Sequence, residues 1–145
     1  MTNAEPLTRY LGKAERTLQA LLQTRLRVVG ITFSEWAVLT FLSGGPLTHE
    51  QLATAIDKGR VTDGSPANLI ESMIGKGLVE SSGERFVATK KGSDIFEPVR
   101  ASVMKITGEL EHGISENDLA ATRRTLQTVS ERADRMTCSP EMFPI

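Results

Sequence analysis

Apolar residues near the start of the chain fall at Leu7, Leu11, Ala14, Leu18 and Leu21, at alternating spacings of four and three. That pattern predicts a helix with a coiled-coil-like seam, with Pro6 suited to its first turn and Gly30 to its end. Leu22, Leu26 and Val29 widen the stripe beyond what one side of a small core requires. The surplus calls for burial against another helix or another subunit, with Leu7, Leu11 and Leu18 as the expected dimer contacts; the plainer alternative is a core helix of a monomer.

Three further helix starts share one grammar. In Ile31-Thr32-Phe33-Ser34-Glu35-Trp36 a threonine stands three residues before a glutamate and is bracketed by apolar residues, which is a capping box with a hydrophobic staple. Leu47-Thr48-His49-Glu50-Gln51-Leu52 repeats it, and Ile114-Ser115-Glu116-Asn117-Asp118-Leu119 repeats it with aspartate as the weaker reciprocal cap. The second helix is expected from Phe33 to about Ser43, with Trp36, Val38, Leu39 and Leu42 facing inward and Ser43-Gly44-Gly45-Pro46 as its stop. Trp36 is a weak candidate for lining a ligand pocket, against its simpler role as a core residue.

From His49 to about Ile56 the pattern predicts a third helix, and Asp57 to Gly64 reads as a turn. Ser65-Pro66 restarts a helix as N-cap and first residue, with Ala67, Leu69, Ile70, Met73 and Ile74 as its buried stripe and Gly75-Lys76-Gly77 as its end. Leu78 to Ser81 and Arg85 to Ala88 are strand-like runs around Ser82-Gly83-Glu84, the pattern of a tight hairpin. A long helix from about Ser93 to Glu111 follows, interrupted by Pro98, and a last one from Glu116 to about Met136. Helix, turn, helix and hairpin between Leu47 and Gly92 form a winged helix-turn-helix, whose usual partner is DNA. The fold class expected is mainly α with a small β-hairpin wing, flanked by N- and C-terminal dimerisation helices. Residues 1–145 form a single domain in this reading, with the winged lobe at 31–92, dimerisation helices at 1–30 and 93–137, and a tail at 138–145.

Composition narrows the functional classes. The chain has 145 residues, 39% hydrophobic and 24% charged, enough for one domain with its own core. No run of about 18 apolar residues and no signal-peptide pattern occurs, so a cytoplasmic location and no membrane partner are expected. One cysteine, Cys138, and two separated histidines, His49 and His112, exclude a disulfide within the chain and offer no metal-ligand spacing. Neither a phosphate-cradling glycine loop nor a nucleophile motif is present, so the expectation is no enzyme and no cofactor. The formal net charge of −1 is unfavourable for a nucleic-acid binder, but it is unevenly spread: +2 over residues 1–43, 0 over 44–92 and −3 over 93–145.

The order of elements, together with Leu47-Thr48-His49-Glu50-Gln51-Leu52-Ala53, the helix ending at Ile70 to Lys76, Gly77-Leu78-Val79 and Ala88-Thr89-Lys90-Lys91-Gly92, resembles the MarR family of bacterial transcriptional regulators. The resemblance spans nearly the whole chain and lies in the joint order of loose motifs. It implies a homodimer on a pseudo-palindromic operator, with the Ser65 helix as recognition helix in a major groove and the hairpin as wing in an adjacent minor groove. It further implies repression of genes close by and release from double-stranded DNA by a small aromatic effector bound between the dimerisation helices and the winged lobe.

Two departures from that pattern stand out. The wing offers only Ser81-Ser82-Gly83-Glu84-Arg85, where the family usually has a longer loop carrying an aspartate and an arginine, so wing contacts should be weak. The turn from Asp57 to Gly64 is longer than usual and adds Lys58 and Arg60. For base reading the candidates are Asn68, suited to adenine, and Ser65, which is equally explained as an N-cap. For phosphate the candidates are Lys58, Arg60, Lys76, Arg85, Arg25 and Arg27. Lys90 and Lys91 oppose the dipole of the helix they begin, a sign of an external anion. The alternative reading is a dimer that has lost specific DNA binding and serves ligand binding or protein interaction.

Overall fold

The structure, a computed structural model, describes residues 4–139 and Glu141. Of the tail expected at 138–145, residues 140 and 142–145 lie outside the described residues. Six helices and three short strands follow one another: α1 (Leu7–Val29), α2 (Phe33–Leu42), β1 (Leu47–Thr48), α3 (His49–Gly59), α4 (Pro66–Gly75), β2 (Val79–Ser82), β3 (Arg85–Ala88), α5 (Lys90–Glu111) and α6 (Glu116–Cys138). The fold class is therefore as expected, mainly helical with a small antiparallel sheet. The chain divides into two compact units between Met104 and Lys105.

Capping chemistry sets most of the helix starts. Thr32 and Thr48 each accept the N–H of the residue three ahead, while Glu35 and Gln51 reach back to the cap's own N–H. Ser115 accepts from the Asp118 N–H alone, without the expected reciprocal bond. Pro6 sits one residue outside α1, at the N-cap, and Gly30 closes that helix in the left-handed region at φ 75.

The core of the first unit gathers Val38, Leu39 and Leu42 of α2, Leu52 and Ile56 of α3, Ile70 and Met73 of α4, and Phe86 of β3. Leu78 and Val79, at the start of the hairpin, Phe96 and Val99 of α5, and Ile31, Ala37 and Val61 also belong to it. Leu26 is the one buried residue of α1, with Leu22 and Val29 packed against the core beside it. The hairpin turns through two residues, Gly83 at φ 65 and then Glu84, a pattern matching a type II′ turn.

Several details differ from the sequence reading. α3 runs on to Gly59, so Asp57 and Lys58 are helical and the connection to α4 is shorter than expected, opening at Arg60 in the left-handed region (φ 50, ψ 42). Burial of Leu52 and Ile56 carries the helix past the point where the apolar pattern fades. β1 was not expected; Leu47 pairs with Phe86 and Thr48 with Arg85, which makes the sheet three-stranded in the order β1-β3-β2. Ala67 and Ile74 are exposed rather than buried, because Ile70, Met73 and half-buried Leu69 already fill the inward side of α4. Trp36 is half-buried, its ring 6.4 Å from that of Phe96. α5 begins at Lys90, three residues early.

Among its described residues the second unit contains no buried side chain; Leu119 and Val129 of α6 are half-buried, while Leu110, Leu126 and Met136 are exposed. Among the described residues no helix is long and apolar enough to cross a membrane.

Candidate nucleic-acid interface

α4 is held from within and left bare outside. Ser65 Oγ accepts the Asn68 N–H at 3.1 Å, Pro66 occupies the first helical position, and Ile70 and Met73 anchor the inner side. Asn68, Glu71, Ser72 and Gly75 are exposed. Among the described residues the side chains of Asn68, Glu71 and Ser72 make no ion pair or hydrogen bond with the rest of the chain.

The far end of α4 is tied down by two lysines. Lys76, its C-cap, places Nζ 2.6 Å from Glu35 Oε2, and Glu35 is only 3% exposed although charged. The other carboxylate oxygen of Glu35 accepts the Thr32 N–H at 2.9 Å. Burial works against ionisation of Glu35 most strongly, yet the Lys76 ammonium and the Thr32 hydrogen bonds together hold its carboxyl below the ordinary value. Lys91 Nζ donates to the Lys76 carbonyl at 2.9 Å, and Lys90 pairs with Asp94 at 2.9 Å. Lys91 and Lys90, expected to mark an external anion, are thus used within the chain, one satisfying the end of α4 and one its own helix.

Lys76 is accordingly committed to Glu35. Lys58 and Arg60 are exposed at the end of α3, Arg85 is exposed in the first position of β3, directly after the wing turn, and Arg25 and Arg27 are exposed on α1. Among the described residues these five cations form no ion pair. Arg60 lines an open groove of about 480 Å³ with Gln19 and Gln23 of α1, Ser34 of α2, and Thr62 and Asp63 of the turn into α4. A smaller cleft of about 270 Å³ lies among Leu42, Pro46, Val87, Ser93 and Phe96. Trp36 lines neither, but its indole N–H is enclosed and has no acceptor among the described residues.

Two features escaped the sequence reading. Glu35 was legible as half of a capping box, but its partner lies 41 residues away and no local pattern marks it. Glu71 was unremarked because an exposed carboxylate in a helix has no motif; its position became informative once the inward side of α4 was known.

A capped, surface-exposed second helix of a helix-turn-helix, followed by a hairpin, defines the class: a winged helix-turn-helix protein. Comparison with solved structures narrows this to the fold of the MarR-family transcriptional regulators. Ligand-free NadR superposes with a TM-score of 0.74 at 17% identity, covering 92% of this chain and 99% of that one. CouR from Rhodococcus jostii RHA1, bound to p-coumaroyl-CoA, gives 0.70 at 17% identity over 89% and 96% of the two chains. A MarR-family protein of Mycobacterium tuberculosis in complex with DNA gives 0.65 at 18% identity, over 87% and 98%. No protein-family model and no curated protein matches the sequence.

Proposed function

We propose that this protein is a sequence-specific DNA-binding regulator of transcription that acts as a homodimer on a pseudo-palindromic operator, as a cytoplasmic repressor released by a small aromatic effector. The observation that carries the reading is α4 itself: its outer polar side chains are unengaged while both its ends are fixed. A helix held this way is preorganised to enter a major groove. A solved relative in fold bound to DNA supports the reading, and one bound to an aromatic acyl-CoA supports the effector.

Phosphate contacts fall to Lys58, Arg60 and Arg85, with Arg25 and Arg27 on α1, and base contacts to Asn68, with Ser65 divided between cap and contact. Dimerisation falls to α1 and to the helices after residue 93. Support comes from Leu7 and Leu18, both nearly half exposed, and from a second unit in which no described side chain is fully buried within one chain.

The rival reading, a dimer for ligand or protein binding without specific DNA recognition, is favoured by the two-residue wing turn carrying Glu84 and by the loss of Lys76 to Glu35. Salt separates the two. With six to ten phosphate contacts, affinity for an operator should fall by roughly three to five orders of magnitude between 50 and 200 mM salt. A flat salt response in a gel shift, with a dimer still seen by light scattering, selects the rival.

A further inference from the structure

Helix geometry, at about 100° per residue, fixes which side of α4 looks away from the core. Ile70, Met73 and Leu69 define the inward direction. Directly opposite stand Asn68, Glu71 and Gly75, with Ala67 and Ser72 at the margins, all exposed. No cation shares this outer side: α4 contains no arginine or lysine, and Lys76 at its end is held by Glu35. The side chain at the centre of this outward surface is therefore a carboxylate that has no partner among the described residues.

We propose that Glu71 is a specificity-determining residue that accepts the N4 amino group of a cytosine, beside an adenine read by Asn68. This rests on the DNA-binding reading above. In the major groove cytosine alone offers an amino donor without an acceptor on the same base, and a carboxylate has only acceptors to offer. Asn68 and Glu71 lie three residues apart, just under one helical turn and about 4.5 Å along the axis, a little more than one base step of about 3.4 Å. Guanine is thus specified through its cytosine partner, without the bidentate arginine contact. The carboxylate is also repelled by phosphate, so wherever the cytosine is missing the complex is weakened; Glu71 rejects wrong sites as well as recognising right ones.

The test is binding-site selection from a pool of random duplex DNA with the full-length protein and its Glu71→Ala and Glu71→Gln variants, after circular dichroism confirms that each variant is folded. The wild type should select a half-site with a cytosine next to an adenine. Glu71→Ala should lose the cytosine preference by about fivefold or more at that one position while binding random duplex more tightly than the wild type. Glu71→Gln should move the preference toward adenine. Glu71→Ala selecting the same motif with the same preference at every position overturns the assignment. A wild type that selects no motif at all overturns the DNA-binding reading beneath it.

Discussion

The Glu35–Lys76 pair makes an asymmetric prediction about stability. Replacing Lys76 with methionine keeps much of the stem's packing but leaves a carboxylate that is 3% exposed, with the Thr32 N–H as its remaining backbone donor. Removing one partner of a fully buried pair costs about 3 to 5 kcal/mol. Because the Lys76 side chain is 54% exposed and the pair partly screened by water, about 2 kcal/mol is expected here. Glu35→Gln keeps the acceptor for Thr32 and leaves a lysine that can turn to solvent, so its cost should be about 1 kcal/mol or less. The double variant should recover part of the Lys76→Met loss. Acidity adds a second axis. The carboxyl of Glu35 is held below its ordinary value, so its contribution is fully present above that value and fades as pH falls through the lower folded-state value. In Lys76→Met the ammonium no longer opposes burial, so the carboxyl takes up its proton at higher pH than in the wild type and the gap between the two narrows as pH falls from 7 toward 4. Urea denaturation of the four proteins across that range reads both effects. A gap independent of pH, or a Glu35→Gln variant as damaged as Lys76→Met, would refute the reasoning.

Three more outcomes are expected. A Cβ at Gly92 would collide with the Leu78 carbonyl oxygen and lie 3.2 Å from Leu39, so Gly92→Ala should cost at least about 2 kcal/mol, seen as a lower melting temperature. Arg60→Ala should weaken binding to all DNA sequences alike and reduce the salt slope by about one, whereas Asn68→Ala should relax preference at a single position; fluorescence anisotropy on specific and scrambled duplexes separates them. Leu18→Glu should dissociate the dimer or unfold the chain, and a stable, folded monomer of the unmodified protein in light scattering would remove the dimer claim altogether.

How far the sequence could be read depended on how local the cause was. The capping boxes at Thr32 and Thr48, the Ser65-Pro66 start and the Gly30 stop act within four residues, and each was legible in advance. The Leu47–Thr48 strand was not, because two residues carry no periodicity and owe their state to pairing with Phe86 and Arg85, nearly forty residues on. The end of α3 was misjudged for the converse reason: Asp57 and Gly59 favour a break locally, and packing of the preceding turn overrides them. Lys90 and Lys91 show the limit of dipole arguments, since the unfavourable start of α5 is offset by Asp94 and by the Lys76 carbonyl, neither visible until the chain is folded. The glycine of Thr89-Lys90-Lys91-Gly92 acquires its reason in the same way, from the close approach of α5 to Leu78. Candidate DNA contacts could be named from sequence as free cations and amides, but which of them was already engaged, as Lys76 is, required the fold.

The central claim, that paired α4 helices read a palindrome, is met most directly by a footprint of the purified protein on the DNA flanking its own gene at low and moderate salt. The account predicts a protected palindrome of roughly 15 to 25 base pairs with half-site centres one helical turn apart. Salt-sensitive smearing with no defined footprint would contradict it.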